Sequence, residues 1–389
     1  MTKIVEIREQ TASLRSNIRN AVIAFSNMTV SLVAVVTDCR RDGAPIIGYG
    51  FHSNGRYAQG GILRERLFPR VLAASPEDYA DETCGINPVK LSDIAMRGEK
   101  PGGHGDRAIA AAALDMAFWD AASKIADEPL WQTISVRFNN GQSDKKVKVY
   151  PGGGYYFPGK GLQQLKQEIR DYLAAGYRVM KIKIGGATLK EDMRRVNAVI
   201  AEAGGANYVA VDANGGLDLP LAMQYADAMR DIGLFWFEEP LDPLDFQGHA
   251  ALAEYYSPPI ATGENLFSWQ DARNLLRHGG LRSDRDWIQM DPGLAGGLSE
   301  YIKITQLFQN AGWSLRRFVP HGGHQFNLNI AAGLQLGACE SYPGVFQPYG
   351  GFADHIPVKN GFVNLPDAPG IGVELKKDMF TEMRRLLET

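Results

Sequence analysis

Along residues 179–340, one short apolar run after another ends in a charged or polar residue, at nearly constant spacing. The runs read VMKIKIGG with Lys181 and Lys183, YVAVDANGG with Asp212, LFWFEEP with Glu238 and PIATGEN with Glu264. WIQMDPG with Asp291, LRRFVPHGGH with His321 and GACES with Glu340 continue the series. From Lys183 to His321 the steps are 29, 26, 26, 27 and 30 residues. A step of that size holds one buried parallel strand, a turn, a helix and a return turn. Closed into a barrel, such units bring the C-terminal ends of all their strands to one mouth. The spacing therefore predicts an α/β barrel whose mouth collects three carboxylates, two lysines and a His–Asp pair. A single acid at a strand end serves as a helix cap or meets solvent, but a whole series in register has no such structural reason. Carboxylates gathered without a cation would also repel one another.

Three carboxylates from three successive strands, Asp212, Glu238 and Glu264, suit a hard divalent cation with oxygen ligands, and Mg2+ is the expected occupant. The trio includes no thiol or imidazole, which disfavours zinc. Lys181 and Lys183 stand two apart on one strand and share a face. Two adjacent ammonium groups disfavour double protonation, so one lysine is expected to be pulled toward neutrality and to serve as a general base. Across the mouth, Asp291 is placed to orient His321 and raise its basicity. Base, cation and acid together point to proton abstraction α to a carboxylate, with a second group acting from the other face.

The rest of the chain bounds this reading. With 389 residues there is room for one barrel and a smaller domain. Segments IVEIRE, MTVSLVAVVTD and PIIGYGF read as antiparallel strands, with CRRDGAP as a turn. In HGDRAIAAAALDMAFWDAASKIA, large apolar residues recur at three and four, which predicts a helix with one face packed inward. The expected divisions are an α+β capping domain over 1–135, the barrel over 146–345, and a C-terminal segment, 346–389, packing back on the capping domain. Net charge is −3, from 41 basic and 44 acidic residues without long runs, which argues against nucleic acid or anionic membranes as partners. Cys39, Cys84 and Cys339 show no metal-finger spacing, and the start lacks a signal-like apolar core. A soluble, cytoplasmic protein is expected.

The string KIK, VDAN, FEEP, TGEN, Asp291, PHGGH and ACES resembles the mandelate racemase branch of the enolase superfamily, over nearly the whole chain. That resemblance implies a modified TIM barrel, (β/α)7β, under an N-terminal α+β capping domain. It implies Asp212, Glu238 and Glu264 as Mg2+ ligands, with Glu239 not a ligand. It also implies Lys183 as base, Lys181 as its pKa partner, Asp291–His321 as a dyad, and Glu340 as hydrogen-bond donor to the bound carboxylate. IRNAVIAFSNMT, GYGFHSNGRYAQGG, EKPGGHGDR, GGYYFPGKGL and FVPHGGHQFNLNIAAG are similar to the D-tartrate dehydratase group. On that likeness Asn20, Asn54 and Lys100 read the far end of the substrate, and Asn214 and His324 join them as substrate-binding residues. The stretch after Asp291, GLAGGLSE, departs from the bulk expected there.

The resemblance thus implies Mg2+-dependent dehydration of an acid sugar, D-tartrate to oxaloacetate plus water, with a small hydroxy acid or diacid as partner and a homo-oligomeric assembly. Two rivals remain open. One is a racemase or epimerase using Lys183 and His321 as opposing bases, and the other is a non-catalytic binding protein on the same fold.

Overall fold

The β-branched run at Thr29–Arg41 forms the central strand of an antiparallel sheet, β2, flanked by β1 (Ile4–Ser13) and β3 (Ala44–Phe51). Asp42 and Gly43 join β2 to β3 with φ of 51° and 81°, the backbone of a tight hairpin turn that suits Asp-Gly. The computed structural model describes every residue except Arg15, Cys84, Gly103 and Thr389. Cys84 therefore lies outside the described residues, while Cys39 and Cys339 are free thiols.

The helix Gly105–Ile125 lies against this sheet. A Cβ on Gly48 or Gly50 of β3 would fall 2.0 Å from Ala117 O or 2.1 Å from Ala113 O, so only glycine on the strand permits so close an approach. The expectation of one inward face is corrected here, because the helix is buried around its whole circumference from Ala108 to Lys124. The sheet covers one side, and the barrel helix Leu298–Asn310 covers another, joined to it by Trp119 Nε1 donating to Ser299 Oγ at 3.1 Å. A two-stranded ribbon, β4 (Ala80–Asp81) with β5 (Gly85–Ile86), completes this part.

The second sheet is parallel and curls around a barrel. Its strands are β6 (Lys146–Gly153), β7 (Met180–Lys183), β8 (Val209–Asp212), β9 (Phe237–Glu238), β10 (Ile260–Thr262), β11 (Trp287–Ile288) and β12 (Cys339–Ser341). Neighbours run β11-β10-β9-β8-β7-β6-β12. The remaining stave, between β11 and β12, is Phe318–Val319. It is held by a parallel bridge to Ile288 and by Gly337 N donating to Phe318 O at 2.9 Å. Helices return the chain between strands, and their starts are fixed locally: Thr188, Asp218 and Ser268 each accept a backbone N–H of the first turn that follows.

The C-terminal segment ties both parts together. β13 (Phe362–Asn364) pairs antiparallel with β6, while Ile371 N donates to Asp120 Oδ1 at 2.7 Å and Arg8 Nη1 donates to Leu386 O at 3.0 Å. Among the described residues, no helix is long and apolar enough to cross a membrane.

Candidate active site

Register brings the charges together. Lys183, Asp212 and Glu238 end three adjacent strands and are paired across them, Lys183 with Asp212 and Asp212 with Glu238. Strands so paired lie about 4.8 Å apart, so the side chains emerge at one level. Glu264 follows β10 by two residues and joins them, leaving one oxygen each of Asp212, Glu238 and Glu264 within 4.8 Å of one another. All three residues are buried. Glu239, next in sequence to Glu238, turns away: its Oε1 accepts from Thr262 Oγ1 and Gly263 N, each at 2.7 Å, and burial lifts its carboxyl to about 7.

The trio is electrostatically unfinished. Burial, then the neighbouring Asp212 charge, pushes Glu238 well above the carboxylate range. Glu238 Oε2 accepts from Trp236 Nε1 at 2.7 Å and Gln289 Nε2 at 2.8 Å, and its other oxygen meets Lys181. Glu264 Oε2 is buried without a hydrogen-bond donor. A buried carboxylate oxygen left unpaired is costly, and a hard divalent cation would complete it. The donor set, all oxygen, fits that ion.

Lys181, expected as the pKa partner of Lys183, is the more deeply set of the two lysines. It is fully buried, 3.2 Å from Asp212 and 2.9 Å from Glu340, as well as paired with Glu238. Burial would lower its pKa, but those carboxylates outweigh burial and hold it well above the lysine range. The acids around it therefore favour its charged form. Lys183 Nζ donates to Asp212 Oδ2 at 2.5 Å and lies 5.3 Å from the centre of the Tyr155 ring. Burial would raise the Asp212 carboxyl, and Lys183 and Lys181 bring it far below its usual value.

On the opposite wall, His321 Nδ1 is 3.0 Å from Asp291 Oδ2 and its Nε2 is 3.6 Å from Glu264 Oε2. Burial would lower the imidazole, but Glu264, Asp291 and Glu340 outweigh it and raise the pKa to about 9. Asp291 stays ionised despite burial because His321 and its hydrogen bond favour the charged form. Glu340, expected to meet the bound carboxylate, lies at the same wall: Lys181, His321 and Lys183 overcome burial and hold its carboxyl below its usual value, and it accepts the Tyr342 hydroxyl at 3.0 Å.

An inner cavity of about 30 Å³ has Lys183, His321 and Glu264 in its wall, with Asn20, Asn54, Asn214 and Arg56 around them. The fold thus gathers three of the five expected substrate contacts. Asn20 Oδ1 accepts from Val22 N and Ile23 N, each at 2.8 Å, which shapes its loop. Asn214 sits at φ 50°, which Asn tolerates, with Oδ1 buried and free of a donor. Lys100 and His324 do not line the cavity, although His324 stands beside Asp291. Arg107 donates to Lys100 O at 2.7 Å and Gly102 O at 3.0 Å, drawing that loop over the start of its helix, and Lys100 lines a separate cavity with Glu99 and Lys303. His324 caps the helix Gln325–Gly333 by accepting Asn327 N, and its Nε2 is 2.6 Å from Ser53 Oγ. Burial lowers it to about 4.

Sequence reasoning passed over three neighbours of this machinery. The Tyr342 hydroxyl lies 3.1 Å from His321 Nε2, Asn327 Nδ2 donates to Asp291 Oδ1 at 3.0 Å, and Arg56 reaches the cavity from the loop after β3. The signal for Tyr342 was available, because it stands two residues beyond Glu340 and so on the same side of an extended chain.

Residues 164–379 match the family described as enolase C-terminal domain-like. The chain belongs to the enolase superfamily. It is 31% identical over 291 residues to an arabinonate dehydratase from Saccharolobus solfataricus, covering 72% of this chain and 74% of that protein. An L-talarate/galactarate dehydratase from Salmonella typhimurium is 29% identical, over 87% of this chain and 79% of its own. Among solved structures, an L-talarate dehydratase from a Polaromonas species, complexed with Mg and L-glucarate, superposes with a TM-score of 0.78 at 26% identity, covering 96% and 95% of the two chains. A racemase from Streptomyces coelicolor with bound magnesium gives 0.77 at 26% identity, over 99% of each chain. The (β/α) barrel with its N-terminal sheet is therefore the enolase-superfamily fold.

Proposed function

We propose that this chain is a Mg2+-dependent acid-sugar dehydratase, and that D-tartrate, converted to oxaloacetate and water, is its substrate. The observation that carries the reading is the pairing of two unlike groups across one carboxylate trio: Lys183 beside Asp212, and His321, backed at Nδ1 by Asp291, beside Glu264. The dehydratases among the relatives support the reaction class, and the tartrate assignment follows from the likeness of the segments around Asn20, Asn54 and Lys100, of which Asn20 and Asn54 line the inner cavity. Asp212, Glu238 and Glu264 would hold the cation, which would bind the substrate carboxylate and offset the negative charge that grows as the α-proton leaves.

The chain's own residues do the rest. Lys183 accepts the α-proton on Nζ, and the C–H electron pair becomes the new C–C double bond. The β C–O bond breaks on the other face, and His321 gives its Nε2 proton to the departing oxygen as water. Asp291 stabilises the imidazolium through Nδ1. The enol product then tautomerises to a keto acid. The racemase reading needs His321 as a neutral base.

The test is a screen of mono- and dicarboxylic sugar acids for Mg2+-dependent keto acid, detected with semicarbazide. His321→Asn should still exchange the substrate α-proton in D2O while making almost no keto acid, whereas Lys183→Ala should lose both. Inversion at the α-carbon without keto acid would replace this reading with the epimerase. Mg2+ binding with no turnover of any acid would favour the binding protein.

A further inference from the structure

The inner cavity adjoins a larger outer chamber of about 510 Å³, and Asn20, Ile23, Gly55, Arg56, Asn214 and Glu264 wall both. The inner cavity is the smaller of the two and opens through these shared walls into the outer chamber, so a substrate longer than its reacting end can extend into that chamber. Asp106, Glu264 and Arg56 are the charged residues that line the outer chamber, which makes Arg56 its one cation among the described residues. Lys100, expected to read that end, faces a different cavity.

Arg56 is half-buried, and the groups it hydrogen-bonds are neutral. Nη1 donates to Gly55 O at 2.6 Å, Nη2 donates to Asn265 Oδ1, and the guanidinium lies 5.4 Å from the centre of the Phe267 ring. A guanidinium carries five N–H donors in a planar fork matched to a carboxylate, so donors remain after these two bonds. This half-buried cation on the boundary of two chambers has no anionic hydrogen-bond partner among the described residues.

Building on the dehydratase reading, we infer that Arg56 takes the distal carboxylate of a dicarboxylate whose first carboxylate lies at the Asp212–Glu238–Glu264 trio. Arg56 would then set the preference for diacids over monoacids. Phe267 holds the guanidinium in plane, and Asn265, whose Nδ2 donates to Glu264 Oε1 at 3.1 Å, ties that position to the trio.

The experiment uses the full chain with Mg2+ and two matched pairs, D-tartrate against D-glycerate and galactarate against galactonate. Turnover is read as keto acid, and binding by calorimetry. Arg56→Gln should lower kcat/KM or affinity for the preferred diacid by about tenfold or more, leave its monoacid partner largely unchanged, and leave Mg2+ affinity intact. Arg56→Lys should recover part of the loss. Equal losses on diacid and monoacid, with weakened Mg2+ binding, would make Arg56 a support for Asn265 and Glu264 and overturn the inference. So would a diacid-selective loss in Lys100→Ala with none in Arg56→Gln, or a wild-type protein that neither binds nor turns over either diacid. If no acid is turned over yet Arg56→Gln still selectively weakens diacid binding, the dehydratase reading fails and the Arg56 assignment stands.

Discussion

Replacing Asp291 with Asn removes the charge that faces His321 Nδ1 at 3.0 Å, inside a site where Asp291 has no exposure to water. A charge-assisted hydrogen bond contributes about 1.5–3 kcal/mol, and one pKa unit corresponds to about 1.36 kcal/mol, so the imidazolium should lose its proton about 1–2 units lower. His321 is proposed to act as an acid, and its activity therefore fails once the proton is gone. The alkaline limb of the kcat profile should move down by that amount, with the acidic limb unchanged. A bound cation withdraws the Glu264 field from His321 and lowers both proteins alike, so the difference between them is the quantity to measure. The same pair has a stability consequence. The folded pKa of His321 is raised from 6.5 to about 9, so its contribution is fully present below about pH 6.5 and fades as pH climbs through 9. At about 1.36 kcal/mol per unit the full contribution is on the order of 3 kcal/mol. Denaturant unfolding of metal-free protein between pH 6 and 9.5 should show that loss, reduced in Asp291→Asn. An alkaline limb that stays put in Asp291→Asn would refute the claim that Asp291 sustains the proton on His321.

Glu238→Gln leaves one oxygen to serve Trp236 and Gln289 on one side and the buried Lys181 on the other, so melting of the metal-free protein should fall and Mg2+ affinity, read by calorimetry, should drop by about tenfold or more. Gly322 sits at φ +111°, and a Cβ there would lie 2.6 Å from Asp291 Oδ2 and 2.8 Å from Ser53 Oγ. Gly322→Ala should therefore cost about 1–3 kcal/mol and cut kcat with Mg2+ affinity unchanged; normal kcat would show that the Asp291–His321 pair tolerates displacement. Asp115 is fully buried with Ser299, and burial raises its carboxyl to about 6. Because its folded pKa is raised, stability should decline as pH rises from about 4 to 6, and Asp115→Asn should remove that slope in urea unfolding at matched pH.

The chemistry of the mouth was legible because parallel strands buried on both faces have only their ends on which to place charge. That constraint wrote Asp212, Glu238 and Glu264 into the sequence at nearly regular intervals, and the observed register pairs Asp212 with Glu238. The same rule identified the stave at Phe318, although the structure reduces it to a bridge, since PHGGH must turn early to bring His321 beside Asp291. Protonation was less legible. The sequence sets Lys181 beside Lys183, while Glu238, Glu340 and Asp212 reach Lys181 only once the barrel has closed.

Residues that would read the rest of the substrate come from loops, where no period links position in sequence to position in space. Asn20, Asn54 and Lys100 look equivalent as polar residues in turn-rich segments, and only the first two reach the cavity. Lys100 is carried away by a local event, the capture of Lys100 O and Gly102 O by Arg107. Arg56, two residues beyond Asn54, remains at the mouth because Asn265, next to Glu264, holds it there. The reacting end of the pocket is thus fixed by strand register, which a sequence displays. The distal end is fixed by contacts between the N-terminal loops and the barrel, which a sequence does not. Substitutions in residues 52–59 should therefore shift substrate preference, while those at the strand ends abolish the reaction.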